Sequence, residues 1–433
     1  MDRVQEQALV RRMAWRIIPF LFLVYLVCII DRLNVGFAAL TMNRDLGFTA
    51  TVYGWGAGLF FVGYFLGEVP SNLILARVGA RVWFARIMVT WGVLACAMGF
   101  IDGQAGFYAV RFLLGLAEAG FFPGVIFYLT LWFPEQYRGR IFGLFLIVSP
   151  LNNTIAAPLS GLILKHFDGL MGYPGWRWLF VVEGIPAVLL AWVTFRILID
   201  RPDHAPWLDD EEKNHLRETL AREAAARTET KRLSLWQTLA HPKVLLFAVV
   251  YTGLAIGIYG IALWMPQLIK GMGVQDPVEI GLIMAVPYLL ATVAMVLWSR
   301  HSDRTGERVW HCAAPLALGC AGLITSTYAG SPLLAMIALT AAAVGIYSSQ
   351  PIFWSMPTGY LAGVAAAGGI ALINSVGNLG GFIGPFAVGW LKDQTGSFQA
   401  GLIFLAACLM VGSIVAYFVG RATLARGTAV AGT

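Results

Sequence analysis

Two arginines and two acids stand where apolar residues are expected. Asp31 and Arg32 adjoin in the run CIIDRLNVG, and Arg111 and Glu118 lie seven residues apart in RFLLGLAEAGFFPG (111–124). At about 100° per residue, seven residues make nearly two helical turns, so Arg111 and Glu118 share one stripe. A charged side chain at the centre of a bilayer costs about 2.5–3.5 kcal/mol on insertion scales, so such residues need partners or water. Arginine supplies a fixed positive charge that meets a carboxylate bidentately at any working pH. Asp31 and Glu118 titrate: desolvation raises a carboxyl pKa and a nearby arginine lowers it. A fixed cation near a titratable acid meets the physical requirement for coupling an anion to a proton. The plainer reading is that Arg32 and Asp31, or Arg111 and Glu118, only neutralise each other, or that Arg111 braces its helix.

Softer polar groups surround these. Tyr64 falls mid-span, where an ordinary buried tyrosine is the alternative to a substrate contact. Asn374 and Asn378 stand four residues apart, on one helical face. They offer amides that read hydroxyls or carboxylates, or that join helices. Asn152 and Asn153 pose the same choice. Glu68 and Glu183 are placed toward span ends and are expected to pair structurally. In NSVGNLGGFIGP, Gly377 with Gly381 and Gly380 with Gly384 have small-xxx-small spacing, which favours close helix approach over ligand binding.

These residues sit in an unusual chain. Of 433 residues, 58% are hydrophobic and 12% charged. Soluble domains run about 25% charged and 45–50% apolar. A mean hydropathy of +0.71 points to a polytopic membrane protein embedded in the lipid bilayer. The 15 Trp and 48 Gly fit that class. The formal charge of +6 sits largely in short loops and implies no nucleic-acid partner. Cys28, Cys96, Cys312, Cys320 and Cys408 all fall in apolar segments, without metal-ligand spacing, and read as small hydrophobes. The charged N-terminal stretch precedes an apolar run with no small-residue cleavage site, so the first span is expected to stay.

Twelve segments are long enough to cross a core about 30 Å thick. They lie approximately at 14–36, 51–75, 83–101, 105–131, 140–164, 177–199, 243–268, 279–300, 309–328, 332–355, 366–391 and 399–420. Arg3, Arg11 and Arg12, then Arg77 and Arg81, Arg138 and Arg140, and Arg300, Arg304 and Arg308 fall on one side if every segment crosses. Arg44, Lys165 and Lys270 are exceptions on the other side. The positive-inside rule places both termini in the cytoplasm. Residues 201–242, with DDEEKNHLRETLAREAAARTETKR, read as a partly helical cytoplasmic loop dividing the chain into 1–200 and 243–433. Two local matches support that division: Arg77-x-Gly79-x-Arg81 against Arg304-x-Gly306-x-Arg308, and Pro158 against Pro385. Both have one offset, 304 − 77 = 385 − 158 = 227. The expected architecture is all-α, with two pseudo-symmetric six-helix bundles that rock about a midplane site.

The chain resembles the major facilitator superfamily over nearly its whole length. Ser302-Asp303-Arg304-Thr305-Gly306-Glu307-Arg308 looks like that superfamily's cytoplasmic loop motif, while the first-half copy has Ala76 where an aspartate is usual. DRLNVGFA (31–38), GYFLGEVPSN (63–72), RFLLGLAEAGFFPG, WFPEQYRGR (132–140) and WRWLFVVEGIPA (176–187) are similar to the anion:cation symporter family. That family includes bacterial tartrate, galactonate and phthalate carriers. The resemblance implies that Arg32 and Arg111 line a central cavity where arginine holds a substrate carboxylate, with Tyr64 hydrogen-bonding the substrate. It also implies that Asp31 and Glu118 handle protons.

The expectation is a monomeric, proton-coupled importer of a small organic anion in a bacterial inner membrane, without a cofactor. The anion would be a tartrate-like hydroxy-diacid, a sugar acid, an aromatic acid or a sulfonate. An exporter, uniporter or exchanger of such anions is the alternative within transport. A membrane sensor or scaffold would need a soluble signalling domain, and the only long loop is about forty residues. No GxxxxGK[ST] or HExxH occurs and the histidines form no metal-ligand pattern, which argues against ATP drive and metalloenzyme chemistry.

Overall fold

The structure is a computed structural model that describes residues 3–228, 242–360 and 364–430. Apolar runs of this length have one way to satisfy every backbone group in lipid without a barrel, and they fold as helices. In chain order these are α1 (Arg3–Leu33), α2 (Val35–Asp45), α3 (Ala50–Val78), α4 (Ala80–Ala97), α5 (Gln104–Glu118), α6 (Phe121–Trp132), α7 (Glu135–Leu146), α8 (Val148–His166) and α9 (Gly175–Ile197). After α10 (Asp210–Thr228) come α11 (Pro242–Gly271), α12 (Pro277–Thr305), α13 (Val309–Thr327), α14 (Pro332–Tyr360), α15 (Val364–Asn378), α16 (Gly380–Thr395) and α17 (Gln399–Val430). Among the described residues, eleven helical stretches are long and apolar enough to cross a membrane. The expected eleventh span, 366–391, corresponds to α15 and α16, which are separated at Leu379.

Two expected spans are interrupted without leaving helical geometry: the first, α1 plus α2, at Asn34, and the fifth, α7 plus α8, at Ile147. The fourth breaks immediately after Glu118. Ala119 turns extended, and Gly120 takes a left-handed φ of 84° before α6 begins. A side chain on Gly120 would also collide with Ser71, so only glycine fits there.

The spans form two six-helix bundles with internal symmetry, and the offset of 227 runs through their contacts. Thr49 caps α3, accepting from the Val52 N–H at 3.2 Å, and Asp276 caps α12, accepting from Val278 at 2.8 Å; 276 − 49 = 227. In α3, a Cβ on Gly54 would strike the Pro385 carbonyl oxygen of α16; in α12, one on Gly281 would strike the Ala157 carbonyl of α8, and 281 − 54 = 227. Thus α3 packs on α16 and α8 on α12, backbone against backbone, at the end of the molecule away from the chain termini. Lys165 pairs with Asp276 across one of these seams. Asp393 accepts the Ala50 and Thr51 N–H groups at 3.1 and 2.7 Å across the other.

The inter-bundle segment docks on the first bundle. Glu212 of α10 pairs with Arg12 of α1. Glu223 accepts from the Arg138 guanidinium at 2.8 Å and from the Glu135 N–H at 2.7 Å. Trp207 stacks on Trp132, with centroids 5.6 Å apart. Residues 229–241, the rest of the expected loop, lie outside the described residues.

Candidate functional site

A cavity lies between the bundles near mid-span. The first bundle contributes Tyr25, Arg32, Tyr64 and Phe122; the second contributes Tyr251, Tyr259, Tyr347, Gln350, Trp354, Asn374 and Asn378. Its lining is thus aromatic, with one guanidinium and a few amides. Such a surface stacks on flat groups and holds an anion by one fixed charge.

Arg32, near the end of α1, is buried and reaches across the bundle to Glu118. Its Nε donates to Glu118 Oε1 at 3.0 Å and its Nη2 donates to the same oxygen. The Cys28 thiol donates to that oxygen as well, at 3.1 Å, while Glu118 Oε2 has no partner. On its other side the Arg32 Nη1 donates to the Tyr259 hydroxyl of α11 at 3.2 Å. The guanidinium lies 5.2 Å from the ring centroids of both Phe60 and Tyr64. One arginine therefore joins the acid of its own bundle to a tyrosine of the other.

The pairings expected from spacing do not form. Arg111 and Glu118 share a helix and both are buried, but Arg111 Nη2 donates to the Ala57 carbonyl of α3 at 3.1 Å. Its Nε and Nη1 have no hydrogen-bond partner, and its guanidinium lies 5.1 Å from the Phe60 centroid. Arg111 is packed at the α3–α5 seam and is not among the residues lining the cavity. The cause is α5 pressing on α3: a Cβ on Gly115 would run into the Phe60 carbonyl, which leaves this helix face no opening. Asp31 likewise does not bond its neighbour Arg32. Its Oδ2 accepts the Trp91 indole N–H at 2.8 Å, inside the first bundle and off the cavity wall.

Tyr64, Asn374 and Asn378 do line the cavity. Asn374 has a second task. Its Nδ2 donates to Glu68 Oε1 at 2.7 Å, and the Ser375 hydroxyl donates to Glu68 Oε2 at 3.1 Å, so α3 and α15 are bridged across the bundles. Glu68 pairs structurally, as expected, but in mid-helix and between the two bundles. Glu183 accepts the Ser160 hydroxyl at 2.7 Å. Asn153 Nδ2 reaches the Tyr347 hydroxyl at 3.5 Å, and Asn152 has no partner. The glycine pairs pack tightly: Cβ atoms on Gly377 and Gly381 would strike the rings of Tyr251 and Phe61, and those on Gly380 and Gly384 the backbone of α11. Among the described residues, no three His, Cys, Asp or Glu side chains gather to hold a metal ion.

Tyr259 and Glu68 were missed as site residues. For Tyr259 a signal was present: 259 − 32 = 227, so it is the symmetry mate of Arg32. The two copies of one position face each other over the cavity.

The comparisons agree with this geometry. Residues 21–385 match the model of the Major Facilitator Superfamily. A protein named for tartrate transport in Agrobacterium vitis is 50% identical over 418 residues, covering 96% of this chain and 92% of that protein. A quinolone resistance transporter of Acinetobacter baumannii is 44% identical, covering 96% of this chain and 95% of that one. A crystal structure of a bacterial homologue of the human lysosomal transporter Spinster, inward-facing and unoccupied, superposes with a TM-score of 0.76 at 16% identity, covering 95% and 98% of the two chains. A family model spanning most of the chain, relatives matching it nearly end to end and a cavity between paired bundles lead to one conclusion: the chain belongs to the major facilitator superfamily, as a membrane transporter and not an enzyme.

Proposed function

We propose that the chain imports a tartrate-like organic anion by proton symport across a bacterial inner membrane, acting as a monomer with both termini cytoplasmic. The observation that carries this reading is the bond between Arg32 and Glu118 at the cavity wall. Arg32 is a cation whose partner is a carboxyl, a group able to bind a proton. A substrate carboxylate competes for the guanidinium, and a proton on Glu118 releases it to that competitor. Binding of anion and proton thereby favour each other, as symport requires. Tyr64, Asn374 and Asn378 line the same cavity and supply groups for hydroxyls and a second carboxylate. Arg111 serves by holding the α3–α5 seam and by its charge, and it takes up substrate contact only if α5 parts from α3. Asp31 is the second proton-handling acid. The 50% identical relative named for tartrate transport supports the substrate class.

Proteoliposomes containing the purified protein test the reading. An acid-outside pH gradient is expected to accumulate L-tartrate, and collapse of the gradient to stop it. Accumulation indifferent to the gradient would leave a uniporter or exchanger. The aromatic lining favours one second reading, that the substrate is a flat aromatic acid. Gradient-driven transport of such an acid, with no tartrate uptake, would establish it.

A further inference from the structure

Inside the first bundle, off the cavity, lie two carboxyls bonded to no cation. Asp31 is 1% exposed; Trp91 serves its Oδ2 at 2.8 Å, and its Oδ1 has no partner. Glu183 of α9 is 4% exposed; Ser160 serves its Oε1 at 2.7 Å, and its Oε2 has no partner. Asp31 stands near the end of α1 and Glu183 in α9, and these two helices pack on each other. Between α1 and α2 stands Asn34, 3% exposed, with both amide atoms unpartnered and its side chain beside the Glu183 carboxyl.

Among the described residues, the ionisable groups nearby do not neutralise these acids. Glu118 is engaged by Arg32. The Cys96 thiol of α4 approaches Asp31 and donates weakly to the Val181 carbonyl at 3.7 Å. Arg32 follows Asp31 in sequence but turns its guanidinium to Glu118 and Tyr259. A carboxylate taken from water with no counter-charge binds a proton in preference to staying ionised. The hydrogen bonds do not satisfy the charged forms: one oxygen of each acid takes a fixed donor, and the other is left without one. The Asn34 side chain has both an acceptor oxygen and an NH2 donor, so it can serve Glu183 in either protonation state.

We propose that Glu183 is a proton site in its own right, so that it and Asp31 make a pair of proton-holding acids, each buried without a cation, apart from the Arg32–Glu118 bond. This rests on the proton-symport reading and deepens it. Protons would be carried at two places in the first bundle, one that answers the substrate directly and one that does not touch it.

Infrared difference spectra of the full chain in bilayers, titrated from neutral to alkaline pH, read protonated carboxyls without any substrate. Wild type is expected to show them at neutral pH. Glu183→Gln is expected to lose one carboxyl's share of the band. Ser160→Ala keeps the acid but removes its hydrogen bond, so the band is expected to shift and not vanish. A band unchanged by either variant overturns the proposal. So does a band that sodium chloride abolishes and potassium chloride leaves, which would make the pair a sodium site. In proteoliposomes, reversal potentials for L-tartrate are expected to give one proton fewer per turnover in Glu183→Gln. If wild type shows no gradient-driven uptake, the symport reading falls, and the infrared spectra still decide the pair.

Discussion

Glu118 is bonded to Arg32, eighty-six residues away in the chain, and not to Arg111 on its own helix. In the proposed symport this pairing would link the proton to the anion, because the acid and the substrate would compete for one guanidinium. Glu118→Gln removes the titration while keeping the shape. Gradient-driven uptake is expected to fall to background while exchange of labelled for unlabelled substrate survives. Normal accumulation against a pH gradient in this variant would remove Glu118 from the coupling.

Arg32→Ala is expected to abolish substrate binding, seen as a lost thermal shift with L-tartrate. Glu118 would then be buried without its cation, and breaking a buried pair costs roughly 3–5 kcal/mol. The double variant Arg32→Ala with Glu118→Gln is therefore expected to recover stability but not binding. Recovery of both would mean that Arg32 serves folding alone.

The charges were legible in the sequence because an apolar span advertises every ion it contains. Their partners were not. Seven-residue spacing says that Arg111 and Glu118 point the same way, but not which helix stands opposite each of them. That is decided by Gly115, which lets α5 lie against α3 and closes Arg111 in, and by the break at Gly120, which ends the helix at Glu118. The spans were legible from hydropathy, and the interruptions at Asn34, Ile147 and Leu379 were not, since the backbone keeps helical angles at all three and no proline stands there. The repeat was more informative than its two motifs. Extended from Pro158 and Pro385 to Arg32, the same offset reaches Tyr259.

Glu68 of α3 holds Asn374 and Ser375 of α15 across the moving seam, on the termini side of the glycine contacts. The symmetry-related seam has Met295 and Ile147 at the corresponding positions, counting 227 from Glu68 and from Asn374, and so lacks this polar bridge. A hydrogen bond contributes about 0.5–1.5 kcal/mol net, and the bridge has two of them. Glu68→Ala is expected to shift the bundles toward an open termini side by roughly tenfold or more. Spin labels at Arg140 and Arg300, in a cysteine-free background, would report longer distances. An unchanged distance distribution would show that the bridge does not hold the seam.

The glycines at the opposite end make a matched pair. A methyl group on Gly54 or Gly281 meets a backbone carbonyl that has no rotamer to escape through. Overpacking of this kind costs about 1–3 kcal/mol. Gly54→Ala and Gly281→Ala are each expected to hold the far end open and slow transport alike. Labels at Leu170 and Gln275, both exposed there, would separate in both variants. A response from only one would show that the two seams do not close together.

Asp276 ties the same end by a different force. The hydrogen bond from Lys165, and then the Val278 N–H, hold its carboxyl below the usual aspartate range. A depressed acid contributes stability above its unfolded pKa and loses it only as pH falls through the lower, folded value. The Lys165–Asp276 pair is thus fully formed at neutral and mildly acidic pH, and protonating the substrate side in that range leaves it intact. Asp276→Asn keeps a helix-capping oxygen but removes the charge. It is expected to change the rate of uptake without moving its pH midpoint, because the proposed symport assigns that midpoint to the interior acids. A midpoint displaced in Asp276→Asn and unmoved in Glu118→Gln would relocate the proton response from the bundle interior to this outer gate.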